Sequence, residues 1–328
     1  NHHQDGSFGN YVTHLTLIDG KGEIKKLGPG QDFTETERNY FWATIGGMGL
    51  TGIIIDATFS LFRIETSLIK VYTERFYSLE NLMTKMIKID KSYKYSVAWV
   101  DSLNENFRSV LTYGDHACLN EIKQNSIVEP LRYNQKNYLS APKFFPFRIL
   151  NKLTIKAFNE AWFRKSSDKL EGELQSIEKF FYPLDGVQNW NRVYGNKGFL
   201  QYQFAVPEES SFFIEEVLRY FKKSNLPHFL TVLKRFGEGN KSLLSFPIKG
   251  WTLATDIPAG INNLEEILDK LDNKLSEIGG KIYLSKDARM NRSVFLKSYE
   301  DYKKWLLIKQ KMDPNNIFVS DLFNRLEN

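Results

Sequence analysis

Cysteine is almost absent from this sequence, since Cys118 is the single one among 328 residues. One thiol forms neither an intramolecular disulfide nor a cysteine-based metal cluster, which excludes disulfide-stapled and cysteine-ligated scaffolds. The sequence also lacks a run of about 18–20 apolar residues, the length that a membrane-spanning helix needs. It shows no signal-peptide pattern, and its first methionine is Met48. We therefore expect a cytoplasmic or peripherally membrane-associated protein, and a chain that is the remainder of a longer one.

Charge of one sign is not in strong excess either. The 44 basic residues are spread along the chain against 39 acidic ones, which leaves a net charge of +5. Without a long cationic tail, nucleic acid is not predicted as a partner. A solvated mixed surface is the simpler interpretation, and a basic patch for a phosphorylated or membrane-held substrate is the alternative. No metal site is predicted, because His2 and His3 lack an acidic ligand at useful spacing and the other histidines are isolated.

Aromatic residues are abundant, at 14% of the chain, and the spacing of hydrophobic residues predicts both helices and strands. The sequence predicts a hairpin over 12–27, a helix after Thr34 with Glu37 at the capping-box position, and a strand from Ile53. Further helices are predicted at Leu79–Ile89, Phe212–Lys223, Leu264–Ile278 (with Asn263 as N-cap), from about 297 to Lys311, and near Asp321–Leu326. Further strands are predicted at Tyr93–Val100, Phe199–Val206, Phe229–Phe236, Ser242–Phe246 and Trp251–Asp256. The predicted strands do not alternate strictly with helices along the chain, which favours an α+β fold with an antiparallel sheet and helices on one side. Residues 131–152 are predicted to form a long loop.

The stretch "GMGLTG" at Gly47–Gly52 has the spacing G-x-G-x-x-G of a dinucleotide-binding loop. That fingerprint requires a strand before the glycines and a helix after them, because the pyrophosphate binds the N–H groups of the helix N-terminus. Here the predicted order is helix, glycines, strand, so the motif is weak evidence for a Rossmann fold. Taken alone, a structural turn is the favoured interpretation, and a close approach of backbone to a flat ligand is the alternative.

Other segments of the sequence give a more specific indication of its family than the glycine motif does. The segments are "NHHQDGSFGN", "FWATIGGMGLTGII", "AWFRK" (161–165), "FFYPLDGVQNWNRVYG" (180–195), "GFLQYQFAVP" (198–207), "LSFPIKGW" (244–251), "GGKIYLSKDAR" (279–289) and "KMDPNNIFVSDLFNRLE". Together they span the whole chain, which resembles the decaprenylphosphoryl-β-D-ribose 2'-oxidase family of vanillyl-alcohol-oxidase-like flavoenzymes.

The resemblance implies FAD as cofactor and a division into domains. Residues 1–66 and 281–328 would form the second half of a vanillyl-alcohol-oxidase-type FAD domain. Residues 67–280 would form a substrate domain, with an antiparallel sheet flanked by helices. The family carries a further subdomain with the pyrophosphate-binding loop before "NHH", so this chain by itself is expected to bind FAD poorly.

The resemblance also assigns roles to particular residues. Cofactor contacts are implied for Gly47, Gly49, Gly52, Ile54, Tyr283 and Lys286, and the last two are the implied catalytic residues. A lysine there has a physical reason, because hydride transfer to the flavin leaves negative charge that a fixed ammonium stabilises. Substrate contacts are implied for Gln201, Gln203, Lys234, Trp99, Phe181 and Phe236. The sequence departs from the family at Ala254, where a cysteine is usual, and at Thr252, where an amide is usual.

The implied activity is oxidation of the 2'-hydroxyl of a polyprenyl-phosphoryl ribose to a keto sugar. An NADH-dependent keto-reductase partner would then complete a 2'-epimerisation to arabinose. Phe144, Phe145 and Phe147 in the predicted loop would shield the lipid tail of this lipid-linked sugar substrate. Two alternatives stay open: a related sugar or aldonolactone oxidase with a soluble substrate, and a non-catalytic fragment that cannot hold FAD.

Overall fold

Helices and strands follow one another irregularly along the chain in the computed structural model. It describes residues 2–122, 129–133, 139–140, 151–166, 172–183, 187–195 and 197–327. Within them the helices are α1 (Glu35–Thr44), α2 (Leu79–Ile89), α3 (Lys152–Lys165), α4 (Ile177–Phe181), α5 (Phe212–Lys223), α6 (Leu264–Glu277), α7 (Arg292–Ser298), α8 (Tyr302–Met312) and α9 (Asp321–Glu327). The predicted loop residues Phe144, Phe145 and Phe147 lie outside the described residues.

The strands of the described ranges form two antiparallel sheets and one short parallel pair. They are β1 (Val12–Ile18), β2 (Ile24–Leu27), β3 (Ile53–Phe59), β4 (Leu68–Phe76), β5 (Tyr95–Val100), β6 (Ser109–His116), β7 (Leu139–Ser140), β8 (Glu173–Ser176), β9 (Val187–Gln188), β10 (Phe199–Pro207), β11 (Phe229–Phe236), β12 (Gly250–Pro258) and β13 (Lys281–Ile282). The predicted α+β class, with antiparallel sheets and separate helices, is confirmed.

The small sheet has the strand order β2-β1-β3 and buries one face of β1. Leu15 and Leu17 alternate along β1 and pack with Phe41 of α1 and Met312 of α8. This cluster therefore joins residues from the two ends of the chain. β3 is different, because every residue from Ile53 to Phe59 is exposed.

Helix α1 begins at the predicted capping box. The Thr34 hydroxyl accepts from the Glu37 N–H, and the Glu37 carboxylate accepts from the Thr34 N–H. At the other end of α1, the indole N–H of Trp305 in α8 donates to the carbonyl of Ala43 at 2.9 Å. The segment before the glycines is therefore held by a helix from the C-terminal part of the chain.

The large sheet has the order β13-β10-β12-β11-β5-β6-β4-β8, with antiparallel neighbours throughout. One side, the core face, carries buried side chains such as Phe204, Leu253 and Leu233, which belong to one hydrophobic cluster with α2, α5 and α6. Because side chains alternate along a strand, the other side carries Gln203, Ala254 and other partly exposed groups. We call this second side the open face.

Two sequence predictions of local structure are wrong, and a third, Asn263 as the N-cap of α6, is correct in position only. Ser242–Phe246 is not a strand: Phe246 packs on Tyr283, and the run is a loop held by contacts of its side chains. Asn263 has a left-handed backbone (φ 61°) and makes no side-chain capping bond. The C-terminal helix is broken between Ser298 and Tyr302. The domain division at 66/67 and 280/281 stays a prediction.

Candidate functional site

A row of predicted substrate residues crosses the open face from strand to strand. Trp99 of β5 is paired with Val232 of β11, Val232 with Ala254 of β12, and Ala254 with Gln203 of β10. At the end of this row, the N–H of Tyr283 donates to the carbonyl of Gln203 at 2.9 Å. The sheet register therefore brings Trp99, Gln203 and Tyr283 to one line on the same face.

The adjacent row adds a cation. Lys234 of β11 is paired with Thr252 of β12, so its side chain lies on the open face beside the first row. The Gln203 amide donates to the Thr252 hydroxyl at 3.3 Å, and that hydroxyl donates to the Phe204 carbonyl at 2.8 Å. Thr252, one of the two departures from the family pattern, therefore fixes the orientation of a predicted substrate contact.

A buried carboxylate lies on the other side of the first row. Asp256 of β12 is paired with Gln201 and accepts hydrogen bonds from the Gln201 amide at 2.7 Å and the Tyr194 hydroxyl at 2.6 Å. Burial raises the pKa of Asp256, while these two donors and the charge of Lys286 act in the opposite direction. Sequence reasoning missed Asp256, although an aspartate inside the apolar strand "WTLATDIP" was a signal.

The two predicted lysines share one environment. Lys234 and Lys286 both keep accessible surface, yet protein surrounds them enough for burial to lower the pKa of each. Because the charge of Lys286 acts on Lys234, the two side chains lie near each other, and we call this pair the lysine site. The charge of Lys286 lowers the pKa of Lys234 further, whereas Asp256 raises that of Lys286. The arrangement favours the charged form of Lys286 over that of Lys234 and suits an anionic ligand.

Tyr283 and Phe236 belong to one small aromatic cluster, in which Phe246 contacts both rings. Phe246 stacks on Tyr283 with ring centroids 4.6 Å apart and meets Phe236 edge-on at 5.7 Å. Ala205 and Ile248 complete the cluster. The wrongly predicted strand 242–246 is thus the segment that holds the Tyr283 ring.

The glycine loop lies next to this cluster. The Ser285 hydroxyl is 3.8 Å from the sulfur of Met48, and the Ser242 hydroxyl donates to the carbonyl of Ile45. The turn that carries Lys286 therefore contacts the glycine segment, although 237 positions separate Met48 from Ser285 along the chain. Ile54, at the start of β3, is paired with Leu17 and is exposed.

The three predicted cofactor glycines differ in their surroundings. A Cβ at Gly47 would lie 2.2 Å from the carbonyl of Ala43, and one at Gly52 would lie 2.4 Å from the carbonyl of Ile18. At Gly49, where φ is 75°, no atom lies within 4 Å of that position. The fold itself therefore requires glycine at 47 and 52, and Gly49 borders open space.

Phe181 lies apart from the other predicted wall residues. Its ring meets Tyr95 of β5 edge-on at 4.8 Å, and the Tyr95 hydroxyl is 3.0 Å from Nε2 of His116. Tyr95 precedes Trp99 by four residues, which is roughly 13 Å along a strand. Phe181 therefore belongs to a second aromatic group on the open face, near the start of β5.

The described ranges contain neither a cluster of metal ligands nor a helix that could span a membrane. No group of three or more histidine, cysteine, aspartate or glutamate side chains is placed to hold a metal ion there. Within the same ranges, every helix is too short or too polar to cross a bilayer.

Comparison with known proteins supplies the family. No family model matches the chain. It is 35% identical over 331 residues to the decaprenylphosphoryl-beta-D-ribose oxidase of Mycolicibacterium smegmatis, a match that covers 100% of this chain and 71% of that protein. It is 27% identical over 338 residues to a Streptomyces coelicolor protein described as an uncharacterized protein in the mprA 5' region, covering 99% of this chain and 89% of that protein. Because this match covers the whole of this chain and more than two thirds of that protein at 35% identity, the chain belongs to the decaprenylphosphoryl-β-D-ribose oxidase family.

Proposed function

We propose that this protein is an FAD-dependent oxidoreductase that oxidises the 2'-hydroxyl of a polyprenyl-phosphoryl-β-D-ribose to a 2'-keto sugar. The observation that carries the proposal is that the turn carrying Lys286, which acts electrostatically on Lys234, contacts the glycine segment through Ser285 and Met48. The name of the mycobacterial relative supports the substrate class.

The residues next to the glycine segment fit a flavin. Gly49 leaves open the volume that any side chain would fill, so a flat ring system can approach the backbone there. Gly47, Gly52 and Ile54 would continue this edge, with Tyr283 and Lys286 on the substrate side. When bound, the flavin supplies the acceptor for the hydride that leaves the carbon bearing the hydroxyl.

The lysines have distinct roles in this proposal. Asp256 helps to keep Lys286 protonated, so Lys286 supplies a fixed positive charge that polarises the sugar hydroxyl and stabilises negative charge arising from hydride transfer. Lys234, whose charged form is disfavoured by burial and by Lys286, gains most from an anionic partner. We assign Lys234 to the phosphate of the substrate.

In this proposal the remaining contacts orient the sugar and complete the substrate site. Gln203, held by Thr252, and Gln201, held by Asp256, present amides to sugar hydroxyls from the open face. Trp99 and Phe236 would form aromatic walls beside these amides, and Phe181 would act farther along β5. The proposed domain division follows the resemblance, with 67–280 as substrate domain and 1–66 with 281–328 as FAD domain.

The keto product requires a second reaction if an epimer is to form. Reduction from the opposite face, by an NADH-dependent keto-reductase, would give the arabinose form. Because the proposed substrate carries a prenyl chain, we place the protein at a membrane surface as a peripheral protein.

Anaerobic mixing of the FAD-loaded protein with polyprenyl-phosphoryl ribose tests the proposal. We expect the visible absorbance of the oxidised flavin to bleach, and Lys286→Met to slow bleaching by about 10²–10³-fold through the loss of a preorganised charge. The matched control is Lys270→Met, at an exposed lysine of α6 that pairs with Glu266, and it should keep the parental rate.

Three outcomes contradict parts of the proposal. Absence of bleaching with the lipid-linked sugar removes the substrate assignment. Equal rates with ribose phosphate or an aldonolactone that lacks the prenyl chain favour the soluble-substrate oxidase. A protein that stays colourless after incubation with FAD favours the non-catalytic alternative for this chain.

A further inference from the structure

Helix α3 exposes an apolar surface that the proposed chemistry does not use. Leu153 is 80% exposed, and Phe158 and Trp162 are each 44% exposed. Ala157 and Ala161 are also exposed, and these five residues lie across the half of α3 that faces away from the protein, where the exposed Thr154, Arg164 and Lys165 lie among them. We call these five residues the α3 strip. Bulky apolar side chains left in water on a helix indicate an interaction site.

We propose that the α3 strip docks this protein onto the surface of an anionic lipid bilayer. The inference deepens the proposed function, on which it rests for the lipid-linked substrate. Helices that lie in a membrane interface combine tryptophan, phenylalanine and leucine with flanking basic residues. α3 has both features.

The charge around the strip complements an anionic membrane. α3 carries the exposed cations Lys152, Lys156, Arg164 and Lys165 and a single carboxylate, Glu160. That carboxylate is paired with Arg108 at 2.7 Å and also with Arg164. The field next to the strip is therefore positive, and such cations attract an anionic leaflet.

The opposite side of α3 fixes the direction in which the strip points. Ile155, Asn159 and Phe163 are buried, and the Asn159 amide donates to Asp101 at 2.7 Å. The Arg108 guanidinium lies over the Phe163 ring at 4.6 Å from its centroid. A helix held by these contacts presents the strip outward without any rearrangement.

Aromatic contacts connect the α3 strip with the proposed substrate site. Phe158 meets Phe229 edge-on at 5.2 Å, and Phe229 lies 6.4 Å from the ring of Tyr194. The Tyr194 hydroxyl donates to Asp256, the carboxylate beside Lys286. The α3 strip and the proposed sugar site are therefore linked through packed aromatic rings.

The exposed strand β3 is a poorer membrane surface. Its residues are accessible on both sides, and β3 is an edge strand of the small sheet. An open sheet edge in lipid leaves backbone groups without hydrogen bonds, which is strongly unfavourable. A helix satisfies its backbone internally, so α3 is the surface that suits a bilayer.

Vesicle sedimentation without flavin or sugar tests the docking. We expect the protein to bind phosphatidylcholine vesicles that contain phosphatidylglycerol, and to bind them less well as salt is raised. Combining Leu153→Ser with Trp162→Ser should weaken this binding at least about tenfold, because it removes buried apolar area at the interface. Combining Lys156→Glu with Lys165→Glu should weaken binding to the anionic vesicles only.

The matched control is Leu307→Ser on α8. Leu307 is 61% exposed and lies among the exposed Lys303, Lys304 and Lys311, but α8 exposes no aromatic ring beside it. This variant should bind like the parent. The proposal is overturned if the parent ignores anionic vesicles, or if the strip variants bind as tightly as the control. Vesicle binding through α3 without flavin bleaching by lipid-linked ribose would remove the proposed activity and leave the docking intact.

Discussion

Gly49 and Gly52 belong to the same motif but have opposite surroundings. Gly52 adopts φ 151° and faces the Ile18 carbonyl and the Leu17 side chain, so β1 and β3 pair closely only if this residue has no Cβ. Gly49 adopts φ 75° beside open space. One glycine therefore serves the fold, and the other is free to serve a ligand.

Alanine substitutions separate these two roles. Gly49→Ala should cost about 1–2 kcal/mol for a left-handed backbone, yet fold and bind FAD at least tenfold more weakly, because its methyl group enters the proposed flavin space. Gly52→Ala should cost about 3 kcal/mol or more through overlap with the Ile18 carbonyl. Urea unfolding and FAD titration measure the two effects. Unchanged FAD affinity in Gly49→Ala would remove Gly49 from the cofactor site.

At the scale of elements, the end of α8 is fixed by a buried ion pair. Lys309 donates to Asp313 at 2.8 Å and also contacts Asn316, and the N–H groups of Ile317 and Phe318 donate to the same aspartate. Burial opposes ionisation of Asp313, but Lys309 and the two N–H donors hold its pKa below the usual value. The helix end and the following turn therefore depend on one another.

Lys309→Met should lower the free energy of unfolding by about 3–5 kcal/mol, because Asp313 would remain buried without its cation. Adding Asp313→Asn in the same chain removes the uncompensated charge and should recover part of the loss. Urea unfolding of the two variants at neutral pH is the measurement. A single variant as stable as the parent would show that the pair contributes nothing to this helix end.

For the whole molecule, buried titratable groups set how stability depends on pH. Burial is the main cause that lowers the pKa of His228 and of His2 to about 4. Above pH 6.5 both histidines are neutral in the folded and the unfolded chain, so they make their full contribution to stability. As the pH falls toward 4 that contribution is lost, because the unfolded chain binds protons on these histidines more tightly than the folded chain does. Asp272 acts in the opposite direction, because burial raises its pKa to about 6 and its contribution is lost as pH rises through that value.

Comparing the pH dependence of stability in the parent protein and in a His228 variant isolates the contribution of this histidine. His228→Asn should reduce the loss of unfolding free energy between pH 7 and pH 4.5, by up to about 3 kcal/mol for a fully buried histidine. Its amide can replace the present 2.8 Å contact of Nδ1 with the Leu226 carbonyl. Urea unfolding at both pH values provides the comparison. If parent and variant change equally, His228 is not the titrating group.

Across the molecule, the sequence was most informative where local rules act alone. The capping box at Thr34, the hairpin of β1 and β2, and the periodic helices α2 and α5 follow from neighbouring residues. β4 and β6 were missed because they mix charged with apolar residues. The charges are satisfied by distant partners, such as Lys85, whose ammonium lies 2.8 Å from Glu74 of β4.

The sequence by itself determined the α+β class, the family resemblance, and the lysines, amides and glycines proposed to act, because residue types and local spacing carry that information. Only the tertiary structure decided that Asp256 joins Gln201 and Tyr194, that Phe181 lies with Tyr95 rather than Trp99, and that Met48 meets Ser285. These contacts depend on sheet register and on packing between distant segments. No local pattern along the chain encodes them.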